Sequence, residues 1–401
     1  MNIQRPIVVF FALFIAAHVA CSLPRFALQT GRSCGSCHVQ SIGGQLRNSA
    51  GTSFAREDLS IEAWRTTETE EEYSGAVGKY FLFGGESRMQ FLNQKSDWMQ
   101  GTQDGSSLQF MQFAFYTGVT VSDRVKLFAR ADISHLLYDD QYNPTGIAFE
   151  ATATLTLAEK ALFVRAGVFQ PSFGIRHDDH TLYTRGGNAN YLSGGQNVGM
   201  LFKNNYVDVG AEVMYQYQNL LNIQLGIWNG GRLYPRFTES FAFNARGEIS
   251  PSIGDVHLRV GGSLYSRNKK NQTTSTDSTF SMMGGFFGIG YDRFTLIGEF
   301  DVATNPTGNV KKDQKAQAFL AELGVNIIDG LEFISRYEGF DPNTEASDDQ
   351  VKRMVFGLEF FPWSFIEIRP QIRLVTEKSV SGSTITEIKS TQFLTQLHVW
   401  Y

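Results

Sequence analysis

From Lys79 to Tyr401 apolar and polar residues alternate one by one, the period-two signature of strands with one apolar and one polar face. The run from Ile366 is the clearest: Ile366, Ile368, Ile372 and Leu374 share one face, Glu367, Arg369, Gln371 and Arg373 the other. The same alternation marks Leu221, Ile223, Leu225 and Ile227, and again Met354, Phe356, Leu358 and Phe360. The strands are joined by connections of two kinds. Ser122-Asp123, Glu159-Lys160, Asp292-Arg293, Asp329-Gly330 and Pro362-Trp363-Ser364 are tight turns. Residues 94–106, 139–146, 171–197, 267–279, 305–314, 342–349 and 378–387 read as longer loops, polar and rich in Asn, Gly, Ser or Thr. Short turns at one end and long loops at the other describe a membrane barrel. With one strand between 198 and 217, the count is about 16, even as bacterial single-chain barrels require. The expected fold is therefore all-β: a transmembrane antiparallel β-barrel with a short N-terminal segment. A soluble two-sheet sandwich also alternates. Chain size, loop asymmetry, an export signal and the final run Phe393, Thr395, Leu397, Val399, Tyr401 argue for the barrel.

The N-terminal residues follow other rules. Arg5 precedes an unbroken apolar run from Ile7 to Ala17, and Ala20-Cys21-Ser22 fits a small-x-small cleavage site. That run is too short for a membrane span, which needs about 20 residues. The expected organisation is a signal peptide over 1–22, a cofactor-bearing segment over 23–75 and a barrel over 76–401. A lipoprotein with Cys21 acylated is the weaker reading, because His18 stands where a lipobox carries Leu.

Ser33-Cys34-Gly35-Ser36-Cys37-His38 contains C-x-x-C-H, the spacing of a c-type haem attachment site. Two thiols three residues apart add to the two vinyl groups of one haem c, and the adjacent His38 supplies the proximal iron ligand. Such attachment takes place outside the cytoplasm, in agreement with export. A zinc site would require two further Cys or His at ligand spacing, and a redox dithiol would require a βαβ surround; the sequence offers neither. Glu68, Glu70, Glu71 and Glu72 read as a solvated linker. About fifty residues cannot bury a haem alone, so something else must cover it.

Composition sharpens this picture. Charged residues are only 19%, aromatics 13%, and the chain holds 33 Phe and 39 Gly. An aromatic, charge-poor surface is what a lipid-facing band requires. A net charge of -5 gives no reason to expect nucleic acid as a partner. The inward face carries Lys126, Arg130, Asp132, Arg165, Arg246, Glu248, Arg259, Glu299, Asp301, Glu322, Arg336 and Glu338. That set fits an anion-preferring channel, ion-paired walls that anchor a plug or haem propionates, or generic lumen polarity. The loop 171–197 is of the kind that folds into a lumen. For a second axial ligand, His135 faces lipid, His177 and His180 lie in the long loop, and His257 and His398 sit inward near the turn end. His180, His257 and His398 are the candidates, with a vacant or water-bound site also open.

The lead Leu23-Pro24-Arg25-Phe26-Ala27-Leu28-Gln29-Thr30-Gly31 into Cys34-Gly35-Ser36-Cys37-His38 resembles the outer-membrane cytochrome–porin fusions, monohaem proteins of bacteria that oxidise extracellular iron. Gly167 to Arg176 is similar to the Gly-x-Phe-x-x-Pro-Phe-Gly stretch of phosphate-selective porins, and Ile42 to Asn48 to another haem-barrel group. The resemblance implies a protein of the Gram-negative outer membrane, in contact with its lipid. It implies an electron conduit between an extracellular donor or acceptor, Fe(II) among the donors, and a periplasmic cytochrome-like carrier. The competing expectation is a diffusion porin, anion-preferring, with an accessory or structural haem.

Overall fold

The computed structural model describes residues 24–40, 43–61, 75–98, 101–102, 104–133, 148–158, 161–177, 179, 181–186, 200, 202, 206–230, 241–270, 277–305, 314–346, 348–381 and 384–401. Residues 1–22, with the expected signal peptide and Cys21, the acidic run Glu68 to Glu72, His135 and His180 lie outside them. Sixteen long strands follow one another in chain order. They are β1 (Phe81–Trp98), β2 (Gly105–Thr120), β3 (Val125–Asp132), β4 (Ala148–Ala158), β5 (Leu162–Phe169), β6 (Asp208–Tyr217), β7 (Leu221–Trp228) and β8 (Ala242–Ile249). They continue as β9 (Val256–Lys270), β10 (Asp277–Tyr291), β11 (Phe294–Thr304), β12 (Lys315–Ile328), β13 (Leu331–Asp341), β14 (Val351–Trp363), β15 (Ile366–Ser381) and β16 (Thr384–Trp400).

Each strand pairs antiparallel with the next, and β16 pairs back onto β1 from Ser390↔Ser96 to Trp400↔Glu86. The ring is a closed sixteen-stranded antiparallel barrel with no free sheet edge, one of the two ways a backbone can satisfy its hydrogen bonds in hydrocarbon. Its polarity is inverted relative to a water-soluble domain. Phe287, Leu296, Phe300, Met354, Phe356 and Ile372 face outward and are exposed, while Arg130, Glu212, Asp301, Arg336, Glu338 and Arg373 face inward and are buried. An apolar belt this large belongs in lipid. Lys126 has inward parity, yet stands exposed where β3 leaves its turn.

The strands run further than the polar composition of their upper ends suggests. Residues 94–106, 267–279 and 378–387, expected as loops, are largely ladder: Gln94 pairs Gly105, Lys270 pairs Asp277 and Ser381 pairs Thr384. Crossing hydrocarbon takes about 9–11 residues per strand, and β1 has 18. Beyond the slab a strand meets water on both faces, so pairing continues without apolar side chains and alternation fades.

The N-terminal segment is packed inside the ring. α1 (Pro24–Thr30) opens on a proline, which suits a first helical position. It closes on Gly31 in the left-handed region, with Arg32 N–H donating to Ala27 O at 3.0 Å. Phe26 and Leu28 are buried. The Leu28 carbonyl lies so close to Gly290 of β10 that a Cβ there would come within 2.5 Å of it. Arg25 is buried among Glu322, Glu332 and Glu359 of β12, β13 and β14 and pairs with all three. α2 (Ser49–Phe54) is capped by the Asn48 side chain, which accepts from Gly51 N–H at 3.0 Å, and passes into a π-helical turn over Ala55–Leu59. Ile61 N–H then donates to Phe361 O at 3.0 Å, tying the segment to the wall.

Removing the Arg25 cation leaves three buried carboxylates together, a loss of about 3–5 kcal/mol by the measure of broken buried pairs. In Arg25→Ala the barrel is expected to keep its heat-modifiable mobility on gels, while limited trypsin cuts at Arg32, Arg47 and Arg56 much faster than in the parent. Equal cleavage rates would show that the helix is held by something other than this cluster.

Candidate functional site

The chemistry-bearing motif forms one tight turn. Cys34–Ser36 is a single 3₁₀ turn, and both Cys37 N–H and His38 N–H reach Cys34 O at 3.2 Å. Cys34, Cys37 and His38 thus fall within one turn, Cys37 packed against Phe26, Phe54 and Phe361, His38 lining one cleft and Cys34 another. The turn is fastened by Asn48, whose N–H donates to Cys37 O at 2.8 Å and whose side-chain amide reaches Ser36 O at 3.1 Å and His38 O at 3.3 Å. His38 pairs with Arg47 in an antiparallel bridge, continued by Val39 N–H to Leu46 O at 3.0 Å. Gly43 completes this hairpin at φ +85°. A Cβ at that position would stand 3.0 Å from Cys34 Cβ and 3.9 Å from His38 Cδ2. Glycine is required there both for the backbone and for the space beside the motif.

Two clefts flank the turn. The first, with about 550 Å³ of space, is lined by His38, Arg47, Glu86, Phe361, His398 and Trp400 among others. Arg47 spans its rim, donating to Ser364 O at 2.8 Å with its guanidinium 4.8 Å over the Trp400 ring. Cys37 is fully buried against Phe26, Phe54 and Phe361. The second cleft, with about 540 Å³, separates the segment from an inward-folded loop: Pro24 and Cys34 form one side, Phe173, Ile175, Arg176 and His177 the other, with Arg246 and Arg259 of the wall. Those volumes include open solvent; the space the clefts enclose is about 40 and 20 Å³, well below the 300–1,000 Å³ common for ligand sites.

The described part of the loop expected over 171–197 does enter the lumen. Gly174 N–H donates to Ser263 Oγ at 2.8 Å, Arg246 Nε donates to Gly174 O at 2.8 Å, and Asp179 pairs with Arg336 at 2.7 Å. The arginines beside Asp179, Arg336 first, hold its carboxyl well below the usual range against the effect of burial. Ile175 joins Leu28 of α1 in one buried cluster, so the loop rests on the N-terminal segment. The inward arginines are ion-paired with inward carboxylates: Arg130 with Asp132 and Glu150, Arg165 with Glu212, Arg353 with Glu338, Arg369 with Glu367. This favours walls that anchor a plug over an uncompensated cationic channel. Arg176 is the exception, making no hydrogen bond or ion pair among the described residues.

Of the sequence candidates, His398 shares the first cleft with His38. Its ring nitrogens lie 3.2 Å from Arg88 Nη2, with Glu367 at 3.3 Å and Glu86 at 3.4 Å. His257 lines neither cleft. It lies under Gly31 at the turn end, its Nδ1 2.8 Å from Ser252 Oγ. His177, placed in the long loop by the sequence but not among the candidates, lines the second cleft and is 7% exposed. Burial pushes its imidazole below the ordinary value, so it is neutral at physiological pH.

The donor types are those a haem c takes, two thiols and an imidazole within one turn beside an apolar wall with arginines at the rim, while the clefts beside the turn enclose only about 40 and 20 Å³. No family model matches this chain, and no curated protein matches it. Solved structures do match its barrel. OmpT of Vibrio cholerae is 11% identical with a TM-score of 0.51, over 81% of this chain and 99% of that one. The outer membrane channel DcaP of Acinetobacter baumannii is 11% identical with a TM-score of 0.53, over 79% and 96%. An anion-selective porin from Comamonas acidovorans is 10% identical with a TM-score of 0.52, over 80% and 99%. At these identities the likeness concerns fold alone: a sixteen-stranded antiparallel barrel shared with outer-membrane barrels, and its inverted polarity suits a bilayer.

Burial and the neighbouring Cys34 push the Cys37 thiol far above its ordinary value, so it stays protonated where an exposed thiol, with a pKa near about 8.5, ionises. In folded, haem-free protein, iodoacetamide is expected to modify half-buried Cys34 at least about tenfold faster than fully buried Cys37. Peptide mass mapping after timed quenching measures this. Equal rates would mean that the turn opens in solution.

Proposed function

We propose that this barrel carries one haem c in its lumen, joined to Cys34 and Cys37 and ligated by His38, and passes electrons between an extracellular donor and a periplasmic carrier. It would thus be a monohaem cytochrome–porin fusion. The observation that carries the reading is the position of the C-x-x-C-H turn: inside a transmembrane ring, between the short-turn end and an inward-folded loop. When bound, haem supplies one-electron exchange at its iron, tuned by axial ligand, burial and nearby charge. The chain's residues supply the setting. The sixteen-stranded ladder insulates a hydrocarbon band roughly 25 Å tall. Arg25, Asn48 and Gly43 fix the turn. Phe26, Phe54 and Phe361 keep water from Cys37, and the loop from Gln170 to His177 covers the far side of Cys34.

A second reading, a solute channel, has the more direct support from the comparisons, since the solved barrels that resemble this one are porins and channels. One of them is named as anion-selective, and Arg176, which makes no ion pair among the described residues and lines the second cleft, is the feature here that would favour anions.

Two measurements separate the readings. The purified exported protein is expected to have the mass of one covalently attached haem, and Fe(II) is expected to reduce it, seen as growth of the haem α-band. Haem that is bound yet exchanges electrons with neither Fe(II) nor a periplasmic cytochrome defeats the conduit reading, as does a Cys37→Ser variant that loses haem with full function in cells. In planar bilayers the plugged lumen is expected to conduct far less than an open sixteen-stranded porin. Large, anion-selective steps would favour the channel.

A further inference from the structure

The second cleft is too small for an organic ligand, and its charge is one-sided. It encloses about 20 Å³, and a buried site takes one water once about 10–15 Å³ is open to it. Arg176, Arg185, Arg246 and Arg259 line it, and among the described residues no carboxylate does. Arg246 and Arg259 share one carboxylate, Glu248, at 2.6 and 3.3 Å. Arg185 pairs with Glu299 and Asp301. Arg176 makes no hydrogen bond or ion pair among the described residues. Glu150, whose charge reaches Arg176 from beyond pairing distance, is already bonded to Arg130 at 3.1 Å and to Gln45 at 2.9 Å. Around the cleft, then, four guanidinium groups meet three carboxylates, one negative charge short. A charge left uncompensated away from bulk water is costly.

The groups that lack a partner lie where the loop meets the N-terminal segment. Arg176 is half-buried and rests on the segment: a Cβ on Gly44, in the hairpin that follows the Cys34 turn, would stand 2.9 Å from its Nε. His177 is 7% exposed, and its Nε2 is buried with no hydrogen-bond partner among the described residues. A neutral imidazole carries one N–H, so these two residues bring a cation and a donor to one cleft. The frame around them is fixed on both sides. Arg246 Nε holds the loop through Gly174 O at 2.8 Å, and Arg259 Nη2 holds the segment through Arg32 O at 3.3 Å. Donors held in place this way lose little freedom when they close on an anion, and hydrogen bonds from a cation to an anion are about twice as strong as neutral ones.

We infer that the cleft holds one resident monatomic anion of chloride size, bound by Arg176 and the His177 ring in the field of Arg246 and Arg259. Size selects it: chloride is little larger than water, and a tetrahedral oxyanion exceeds the enclosed space. The anion supplies the missing charge. It also joins the inserted loop to the N-terminal segment, since Arg176 comes from one and rests on the other. It requires neither haem nor solute flow, so it stands apart from both readings of the lumen.

Full-length exported protein in detergent, transferred from chloride to gluconate at equal ionic strength, tests this, because gluconate is too large for the cleft. Wild-type protein is expected to broaden the chloride NMR line on titration, and bromide soaked into crystals to give an anomalous peak beside Arg176. Amide exchange over 171–177 is expected to be about tenfold slower in chloride than in gluconate. Arg176→Gln is expected to lose broadening and protection together while keeping the heat-modifiable mobility of a folded barrel. Arg176→Lys, which keeps the charge, is expected to retain part of both. Bromide is expected to displace chloride, and phosphate to compete at least about tenfold more weakly. The inference is overturned if wild type and Arg176→Gln broaden the line alike, if bromide sits only outside the cleft, or if exchange is the same in both salts. It is overturned as well if Arg176→Lys loses both effects as fully as Arg176→Gln, or if phosphate competes as strongly as bromide.

Discussion

A backbone amide inside hydrocarbon has no water to turn to, and the rest of this structure depends on that constraint. Every N–H and C=O crossing the slab must be bonded within the chain, which for strands means a ring without edges. The pairing of β16 with β1 closes it. Once the ring closes, period-two geometry sends every second side chain inward, and the outward set must be apolar. The inward set then has to be polar, and in a barrel of this width those groups cannot all reach one another across the lumen. The walls answer with short-range pairs along and between strands, such as Arg130 with Glu150 and Arg336 with Glu322. Where charge remains over, the N-terminal segment and the inserted loop meet it.

The two inserts answer this in complementary ways. The N-terminal segment brings a cation into an acidic wall: Arg25 enters among Glu322, Glu332 and Glu359. The loop brings both signs, with Asp179 to Arg336 and Arg185 to Asp301. Each insert also buries a small apolar cluster against the barrel, and the two share one through Leu28, Ile175 and Leu182. Charge pairs in low dielectric contribute little beyond their desolvation cost. Their service here is register: a one-residue slip of either insert would strand several buried ions at once. That precision fixes the turn that carries Cys34, Cys37 and His38.

Much of the architecture was legible in the sequence, because alternation reports directly which face a residue takes. Ile366 to Arg373 fell on the expected faces, and parity with the single strand Asp208–Tyr217 gave the right count. Alternation does not report height. The upper ends of β1, β9 and β15 looked like loops because polar residues on both faces of a water-exposed strand carry no period. The candidate site was legible only where a motif is local. Cys34, Cys37 and His38 stand out by spacing alone. Their surroundings come from β1, β14, β16 and a loop more than a hundred residues away, and nothing in a linear pattern distinguishes His177 from His257. What distinguishes them is a partner, present for one ring nitrogen of His257 and, among the described residues, absent for Nε2 of His177.

Tyr401 links these parts in an unexpected way. Its backbone exchanges two hydrogen bonds with Gly85, at 2.8 and 2.9 Å, at the foot of the seam, while its hydroxyl accepts from Arg56 of the insert at 3.1 Å. Pairing of the last strand with the first and seating of the insert therefore converge on a single residue. Contacts of both kinds on one residue would place the seam and the insert in one cooperative unit, in the sense that hydrogen exchange defines such units, so that what loosens the wall at that point would also loosen the packing inside it.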